Sequence, residues 1–245
     1  MEKCFALILS CEKYTHKRLM QDLSDFPFEY RYFIGNPDLD EPVEDNKVVY
    51  LPCPDNYESL PIKVRLGIKW IVENTTDISY IFKTDDDIIF DGGKLLKLYR
   101  DQVLKKSLDF AGNRVRVRGH WSRYHRGSCE SELLNSSSLY IPATTYCSGG
   151  GYFLSAQSFN ILKNSDDYKK HPFLRTFENM IFEDVIAGSI LNYFSIFAAY
   201  IPIRESCIWE GDDGGAAWRG DEGASWVGDN ADLDVPLWKG MYQDE

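Results

Sequence analysis

The sequence lacks a long hydrophobic run. The longest apolar stretch near its start, residues 5–9, is five residues long. A membrane-spanning helix needs about 20 such residues, and the hydrophobic region of a secretion signal needs about 7–15. The chain as written is therefore expected to be soluble and cytoplasmic, without a membrane segment.

An excess of basic residues is also absent. The 245 residues include 27 Lys and Arg against 38 Asp and Glu, a formal net charge of −11. Proteins that bind nucleic acid usually have the opposite balance, so no nucleic-acid partner is expected. The acidity is concentrated in residues 210–245, where ten acidic and two basic residues give a net charge of −8. This segment is rich in Gly, Asp and Trp and is predicted to be a loop.

The six cysteines form no C-x-x-C pair. This absence argues against a zinc knuckle or a dithiol redox site. Free thiols in a reducing compartment are expected, although the even number leaves disulfides open. The composition, 44% hydrophobic and 27% charged, is that of a globular protein with one large domain or two small ones.

Strand and helix patterns alternate in the first third of the chain, which predicts an α/β fold with a largely parallel sheet. A helix is predicted to follow Ser59 as N-cap, with Pro61 in its first turn. Residues 119–148 are polar and expected to be irregular. Strands are predicted over residues 3–10, 30–34, 47–51, 78–82 and 110–118, and further helices over 93–104, 155–162 and 184–191.

Three consecutive carboxylates, Asp85, Asp86 and Asp87, lie between two apolar runs. In an extended backbone, Asp85 and Asp87 would point to one side and Asp86 to the other. Ligands of open α/β sheets bind beyond the carboxyl ends of strands, and a few oxygen ligands suit Mg²⁺ or Mn²⁺ held together with phosphates. The triplet therefore predicts a divalent cation site, with a solvated acidic turn as the alternative.

Two further segments are less specific when taken alone. Gly149, Gly150 and Gly151 would allow a ligand or another backbone to approach closely, although such a run is usually a turn. Glu183 and Asp184 precede an apolar helix, where acidic residues commonly occupy the first turn.

Together these segments resemble the β-1,3-galactosyltransferase family, which includes β-1,3-N-acetylglucosaminyltransferases and the Fringe enzymes. The family pattern runs D-x-Y-x-N-L-T-x-K, G-x-x-W, K-x-D-D-D, Y-C-S-G-G-G-Y and E-D-V. Five segments match it in this order within residues 50–190: residues 55–63, 67–70, 82–87, 146–152 and 183–185.

The resemblance implies a GT-A fold: a Rossmann-like mixed sheet flanked by helices. It implies a single domain over residues 1–245, with a nucleotide-binding half (1–95) and an acceptor-binding half (96–245). It further implies an inverting transfer of a hexose or N-acetylhexosamine from a UDP-sugar to a glycan or glycoconjugate acceptor, forming a β-1,3 linkage and usually using Mn²⁺ or Mg²⁺.

The resemblance also implies roles for individual residues. Asp184 would be the general base, ionised at neutral pH with an ordinary pKa of about 3.9. Asp87 and Asp85 would be metal ligands. The nucleotide-sugar contacts would be Asp85, Asp86, Lys63, Gly149, Gly150 and Gly151. Lys63 has the equally weighted alternative of a solvated helix lysine.

Acceptor binding is assigned to Glu183, Trp209 and Trp218. Aromatic faces suit sugar rings, although the tryptophans would serve equally as core anchors. Residues 120–126, which include His120, Trp121 and His125, are predicted to be a solvent-facing loop, with an acceptor or phosphate as the other possible role.

Departures from the family leave alternatives open. Its members are usually Golgi lumenal with a membrane anchor, so a truncated chain is the other interpretation of location. They also tend to place a metal-binding His near the C-terminus, and none of the four histidines lies there. The alternative function is a catalytically silent module that binds a nucleotide-sugar or glycan. A calcium-binding module centred on residues 210–234 ranks last, because no EF-hand pattern is present.

Overall fold

The computed structural model describes residues 2–164 and 180–210. Twelve strands are present in these ranges: β1 (Lys3–Leu9), β2 (Glu29–Gly35), β3 (Val43–Asp45), β4 (Val48–Leu51), β5 (Ile78–Asp85), β6 (Ile88–Phe90), β7 (Phe110–Val117), β8 (His120–Ser122), β9 (Leu139–Ile141), β10 (Thr144–Ser155), β11 (Ala199–Tyr200) and β12 (Cys207–Glu210). The α-helices are α1 (Thr15–Met20), α2 (Leu60–Asn74), α3 (Gly92–Leu98), α4 (Glu132–Ser136), α5 (Ala156–Lys163) and α6 (Glu183–Tyr193).

Eight strands form one mixed sheet in the order β11-β7-β10-β5-β1-β2-β4-β3. Strand β1 lies inside it and pairs in parallel with β2 and β5, and β2 pairs in parallel with β4. Strand β10 enters between β5 and β7 and runs antiparallel to both. The sheet is therefore more mixed than the strand–helix alternation alone predicts.

Both faces of the sheet are covered. Along β1, Phe5, Leu7 and Leu9 pack into one core cluster, whereas Cys4, Ala6 and Ile8 pack into the other. This alternation follows from the two-residue period of a strand, and burial of both faces explains why β1 is apolar throughout. The first cluster includes residues of α2, α5 and α6, and the second includes residues of α3. The predicted fold class, α/β with a mixed sheet flanked by helices, is confirmed.

Most predicted elements are present with shifted ends. Strand β5 continues past the predicted 78–82 to Asp85. Helix α2 follows Ser59 as predicted, but the Ser59 side chain makes no capping bond; instead, Asn56 accepts from the Ser59 N–H in the preceding turn. The predicted helix over 93–104 begins with α3, capped by Asp91, and ends in a π-helical turn at Tyr99–Leu104.

Two sequence-based expectations are wrong. The glycine run at 149–151 lies inside the twelve-residue strand β10 and is not a turn. Residues 119–148 are not irregular throughout, because they contain α4 and the antiparallel pair β8–β9. In β10 and in the β8–β9 pair, cross-strand pairing favours the extended conformation, which local composition does not reveal.

Several predictions concern features of the whole chain. The eight-stranded sheet takes strands from both predicted halves, 1–95 and 96–245. All six cysteines lie in the described ranges and carry free thiols. Within those ranges, no helix is long and apolar enough to cross a membrane. The acidic segment after Glu210 lies outside the described residues.

Candidate active site

A cleft of about 720 Å³ opens where β1 and β5 end. Its walls include Leu9 and Ser10 at the end of β1, the three aspartates at the end of β5, and the start of α6. The carboxyl ends of parallel strands are the usual ligand-binding edge of an open α/β sheet. Position in the fold therefore marks this cleft as the candidate site.

The acidic triplet is not extended, contrary to the expectation from sequence. Strand β5 ends at Asp85, and Asp86 and Asp87 form a turn into β6. Asp85 Oδ1 accepts from Lys83 Nζ at 2.8 Å, and Asp86 Oδ2 accepts from Ser10 Oγ at 2.6 Å. Asp87 Oδ2 lies 3.4 Å from Lys17 Nζ. Since Asp86 is only 8% exposed, the alternative of a solvated acidic turn is wrong.

Keeping the carboxylates of this turn ionised costs free energy, because they are close together and partly buried. Burial raises the pKa of Asp85 to about 7, against the opposing charge of Lys83 and with further increases from Asp87 and Glu183. Burial likewise raises the pKa of Asp86 to about 6, with Ser10 opposing. Carboxylates with raised pKa values gain from a nearby cation, because it favours their ionised forms.

A divalent cation fits this turn. Asp87 Oδ1 is buried and accepts no hydrogen bond from the described residues. Asp85 carries the second carboxylate, and the Asp87 charge acts on it directly. The described ranges contain no group of three or more His, Cys, Asp or Glu placed to hold a metal ion. Two carboxylates, completed by phosphate oxygens and water, are a usual ligand set for Mg²⁺ and also suit Mn²⁺.

The glycine run forms a bulge in β10. Residues 148–151 of β10 face a single residue of β7, Asn113, because Cys147 pairs with Arg114 and Tyr152 pairs with Gly112. The Gly149 carbonyl accepts from Lys83 Nζ at 2.7 Å, and the Gly150 carbonyl accepts from Thr84 Oγ1 at 2.8 Å. The bulge interrupts the hydrogen bonds between β10 and β7, and these two carbonyl groups accept hydrogen bonds from side chains instead. Buried polar groups need such partners.

The three glycines do not share one role. Gly149 and Gly150 line the cleft. Gly151 faces the core, because a Cβ added to it would lie 3.2 Å from Ile203 and 3.3 Å from Phe82. Gly151 thus differs from the other two because its side-chain direction points into the core, and the contacts of the three glycines with a nucleotide-sugar stay a prediction.

Lys83 and Glu183 form a buried ion pair at the base of the cleft, with Nζ and Oε1 2.5 Å apart. Glu183 Oε2 accepts from the Tyr152 hydroxyl at 2.8 Å. Both Glu183 oxygens thus accept hydrogen bonds inside the protein, and its predicted role in acceptor binding stays a prediction. Sequence reasoning assigned no role to Lys83 or Tyr152; the available signal was a lysine inside an apolar strand.

Asp184 faces the cleft from the first turn of α6. Its Oδ2 accepts from the Gly149 N–H at 3.1 Å, and its Oδ1 accepts from the Val185 N–H at 2.8 Å. Burial raises the pKa of Asp184 to about 7, and the Glu183 charge adds to this, while Lys83 and the two N–H groups oppose it. The expectation of an ordinary carboxylate pKa is therefore wrong, since it took no account of burial.

Lys63 lines the cleft beside the end of β1 and is not a solvated lysine. It is 1% exposed, and its Nζ donates to Asp55 Oδ1 at 2.5 Å and to the Ser10 carbonyl at 3.3 Å. Asp55 in turn accepts from the Gly35 and Glu12 N–H groups. Lys63 therefore fixes the loop after β1, where a donor nucleotide is predicted to bind.

The remaining predicted residues are dispersed. His125 is fully buried, whereas Trp121 is exposed, so residues 120–126 are only partly a solvent-facing loop. Arg126 and Tyr124 line the cleft. Trp209 is a residue of β12, and the structure describes its backbone but not its side chain. Trp218 and, apart from Glu210, the proposed calcium module at 210–234 fall outside the described residues.

Comparison with known proteins supports the sequence resemblance. Residues 39–199 match the family model described as Galactosyltransferase. The UDP-GalNAc:beta-1,3-N-acetylgalactosaminyltransferase 1 of Mus musculus is 26% identical over 161 residues, covering 64% of this chain and 44% of the relative. Its Homo sapiens counterpart is 25% identical over 146 residues, covering 58% and 39%. The chain thus spans less than half the length of these relatives.

A solved structure with a similar backbone is the 2-C-methyl-D-erythritol 4-phosphate cytidylyltransferase of Francisella tularensis. It is 12% identical in sequence, covers 84% of this chain and 93% of its own, and has a TM-score of 0.44. The family assignment rests on the sequence match, which includes 161 of the 245 residues. The chain belongs to the galactosyltransferase family.

Proposed function

We propose that this chain transfers a hexose or N-acetylhexosamine from a UDP-sugar to an acceptor hydroxyl, with inversion and with a divalent cation. One observation carries the proposal. A single cleft contains the carboxylates that end β5 and, across the bulge of β10, the half-buried carboxylate of Asp184. Donor activation and acceptor deprotonation need these two kinds of group at a short separation.

The donor side of the cleft suits an anionic diphosphate. Lys13 and Lys17 line it beside the acidic turn, and Lys17 already contacts Asp87. A divalent cation held by Asp85 and Asp87 would supply neutralisation of the charge that develops on the departing UDP. Asp86 is tied to Ser10 and orients the end of β1 toward the same space.

Asp184 is the proposed general base on the acceptor side. Its carboxylate is held by the Gly149 and Val185 N–H groups, so it cannot rotate freely. With a pKa of about 7 it exists in both protonation states at neutral pH, which is the range in which a general base is efficient. It would take the proton of the acceptor hydroxyl while that oxygen attacks the anomeric carbon. A single displacement inverts the configuration and needs no protein nucleophile.

The names of the relatives guide the choice of donor. They are enzymes named for UDP-GalNAc and a β-1,3 linkage, so UDP-GalNAc is the first donor to test, followed by UDP-galactose and UDP-GlcNAc. A β-1,3 bond to a terminal sugar of a glycan or glycoconjugate is the linkage we propose.

The test measures UDP release from each donor with Mn²⁺ or Mg²⁺, in the presence of candidate glycan acceptors. We expect Asp184→Asn to lower transfer by about 10²–10⁴-fold, the usual contribution of a general base, while the Kd for UDP stays within about threefold. The matched control is Asp77→Asn, the same substitution at an exposed residue away from the cleft.

The possible outcomes are distinct. UDP binding without release from any donor would favour the silent binding module. Equal loss of UDP binding and transfer in Asp184→Asn would make Asp184 structural. Metal binding that ignores UDP would support the calcium-binding alternative.

A further inference from the structure

We propose that Lys83 is a positioning residue, one that fixes Asp184 relative to Asp85. The inference rests on the proposed function, because it concerns the spacing between the donor-side carboxylate and the general base. Nothing in the family resemblance assigned a role to this side chain. The geometry around its ammonium group carries the proposal.

The Lys83 ammonium has its full set of acceptors. Nζ lies 2.8 Å from Asp85 Oδ1, 2.7 Å from the Gly149 carbonyl oxygen and 2.5 Å from Glu183 Oε1. An ammonium group has three N–H bonds to donate. These three partners belong to β5, β10 and α6, so one buried charge ties together the three elements that form the base of the cleft.

Two short routes lead from Lys83 to Asp184. The first passes through Glu183, which precedes Asp184 in the first turn of α6. The second passes through Gly149, whose carbonyl accepts from Lys83 while its N–H donates to Asp184 Oδ2 at 3.1 Å. On the other side, Lys83 contacts Asp85 directly. Movement of the ammonium group would therefore change the distance between Asp85 and Asp184.

The surroundings leave Lys83 little freedom. It is 1% exposed, and it stands opposite Tyr152 in the register of β5 and β10. The Tyr152 hydroxyl holds the second oxygen of Glu183, and Nζ lies 5.7 Å from the centre of the Tyr152 ring. A Cβ on Gly149 would come within 3.0 Å of Glu183 Oε1. The ion pair is therefore enclosed by Tyr152 on one side and by Gly149 on another.

Fold stability alone does not call for a lysine at position 83. Ile81, two residues earlier on the same face of β5, packs in the apolar core. Burying an ion pair is often no more stabilising than filling the same space with apolar side chains. A functional role in the cleft explains why a lysine occupies this position, and we infer that this role is to position the carboxylates of Asp85 and Asp184.

The experiment compares four proteins with the wild type. Lys83→Arg keeps the charge and changes the geometry. Tyr152→Phe removes only the hydroxyl that holds Glu183. The double variant Lys83→Met/Glu183→Met replaces the ion pair with apolar side chains and guards against the misfolding expected from an unpaired charge. Lys69→Arg, at an exposed site on α2, is the control.

For each protein, kcat and the donor KM are measured by UDP release, the Kd for UDP by calorimetry, and Tm by thermal unfolding. We expect Lys83→Arg to lower kcat at least tenfold, with donor KM and UDP Kd within threefold of wild type. Tyr152→Phe should lower kcat less. The double variant should unfold near the wild-type Tm and still show the low kcat, and Lys69→Arg should match the wild type throughout.

Three results would overturn the inference while leaving the proposed function intact. These are a wild-type kcat in Lys83→Arg, a loss of UDP affinity as large as the loss of kcat, or recovery of kcat along with stability in the double variant. The last would show that the pair serves folding only. A wild-type chain that releases no UDP from any donor would refute the proposed function and, with it, the positioning role.

Discussion

The pH dependence of transfer is the most direct consequence of the environment of Asp184. A base must be ionised to accept a proton, and burial raises the pKa of this carboxyl to about 7. The ionised fraction is then about one tenth at pH 6 and about nine tenths at pH 8. We therefore expect kcat/KM to rise about tenfold between these pH values. With an ordinary aspartate pKa of about 3.9, it would be flat over the same range.

The assay follows UDP release from pH 5.5 to 8.5 at constant ionic strength, with donor and acceptor both below their KM. Under these conditions the profile reports the ionisation of the free protein. Asp77→Asn should retain the tenfold rise. The reasoning would be refuted by a wild-type profile that is flat between pH 6 and pH 8.

Two further predictions concern the bulge and the acidic turn. Gly149→Ala should lower kcat at least tenfold, because its Cβ would meet Glu183 Oε1 at 3.0 Å. Gly93→Ala, at an exposed position near the start of α3, should leave kcat unchanged in the same assay; equal activity of the two variants would count against a role for the bulge. Burial raises the pKa of Asp86 from 3.8 to about 6, so between pH 4 and 6 the folded protein keeps a proton that the unfolded chain has released. The free energy of unfolding should therefore fall as pH rises through this window, by up to about 3 kcal/mol from this group. Asp86→Asn should remove that part of the slope in urea unfolding, and an unchanged slope would contradict the assignment.

Local sequence patterns predict the central part of the fold well. The apolar runs at β1, β2 and β4 and the periodicity of α2 match the structure to within one or two residues at most ends. These elements are determined by burial of one or both faces, which leaves a periodic trace in the sequence. The same pattern places the acidic triplet close to the end of β5, because the apolar run stops at Phe82, shortly before Asp85.

Longer-range features leave no such trace. The contact between Lys83 and Glu183 joins residues 100 positions apart. It depends on β10 entering between β5 and β7, which no local pattern encodes. The raised pKa of Asp184 likewise arises from packing around the first turn of α6, and its sequence context alone suggests only an acidic helix start.

The different orientations of the three glycines also depend on long-range strand pairing. Gly149 and Gly151 are neighbours in a uniform run, yet one faces the cleft and the other the core. The difference arises where β10 loses register with β7, since a change of register alters which side of the sheet a residue faces. Sequence predicts that the run matters but cannot assign its members.

The bulge in β10 also affects how this cleft will respond to mutagenesis. Two of its contacts are peptide groups of Gly149, one donating to Asp184 and one accepting from Lys83. An alanine scan cannot remove a main-chain carbonyl or N–H group. It would therefore attribute the whole effect to Asp184 and Lys83 and miss the contribution of the Gly149 peptide groups between them. Replacing the amide at 149 with an ester, which removes the N–H and adds no side chain, would expose that hidden contribution.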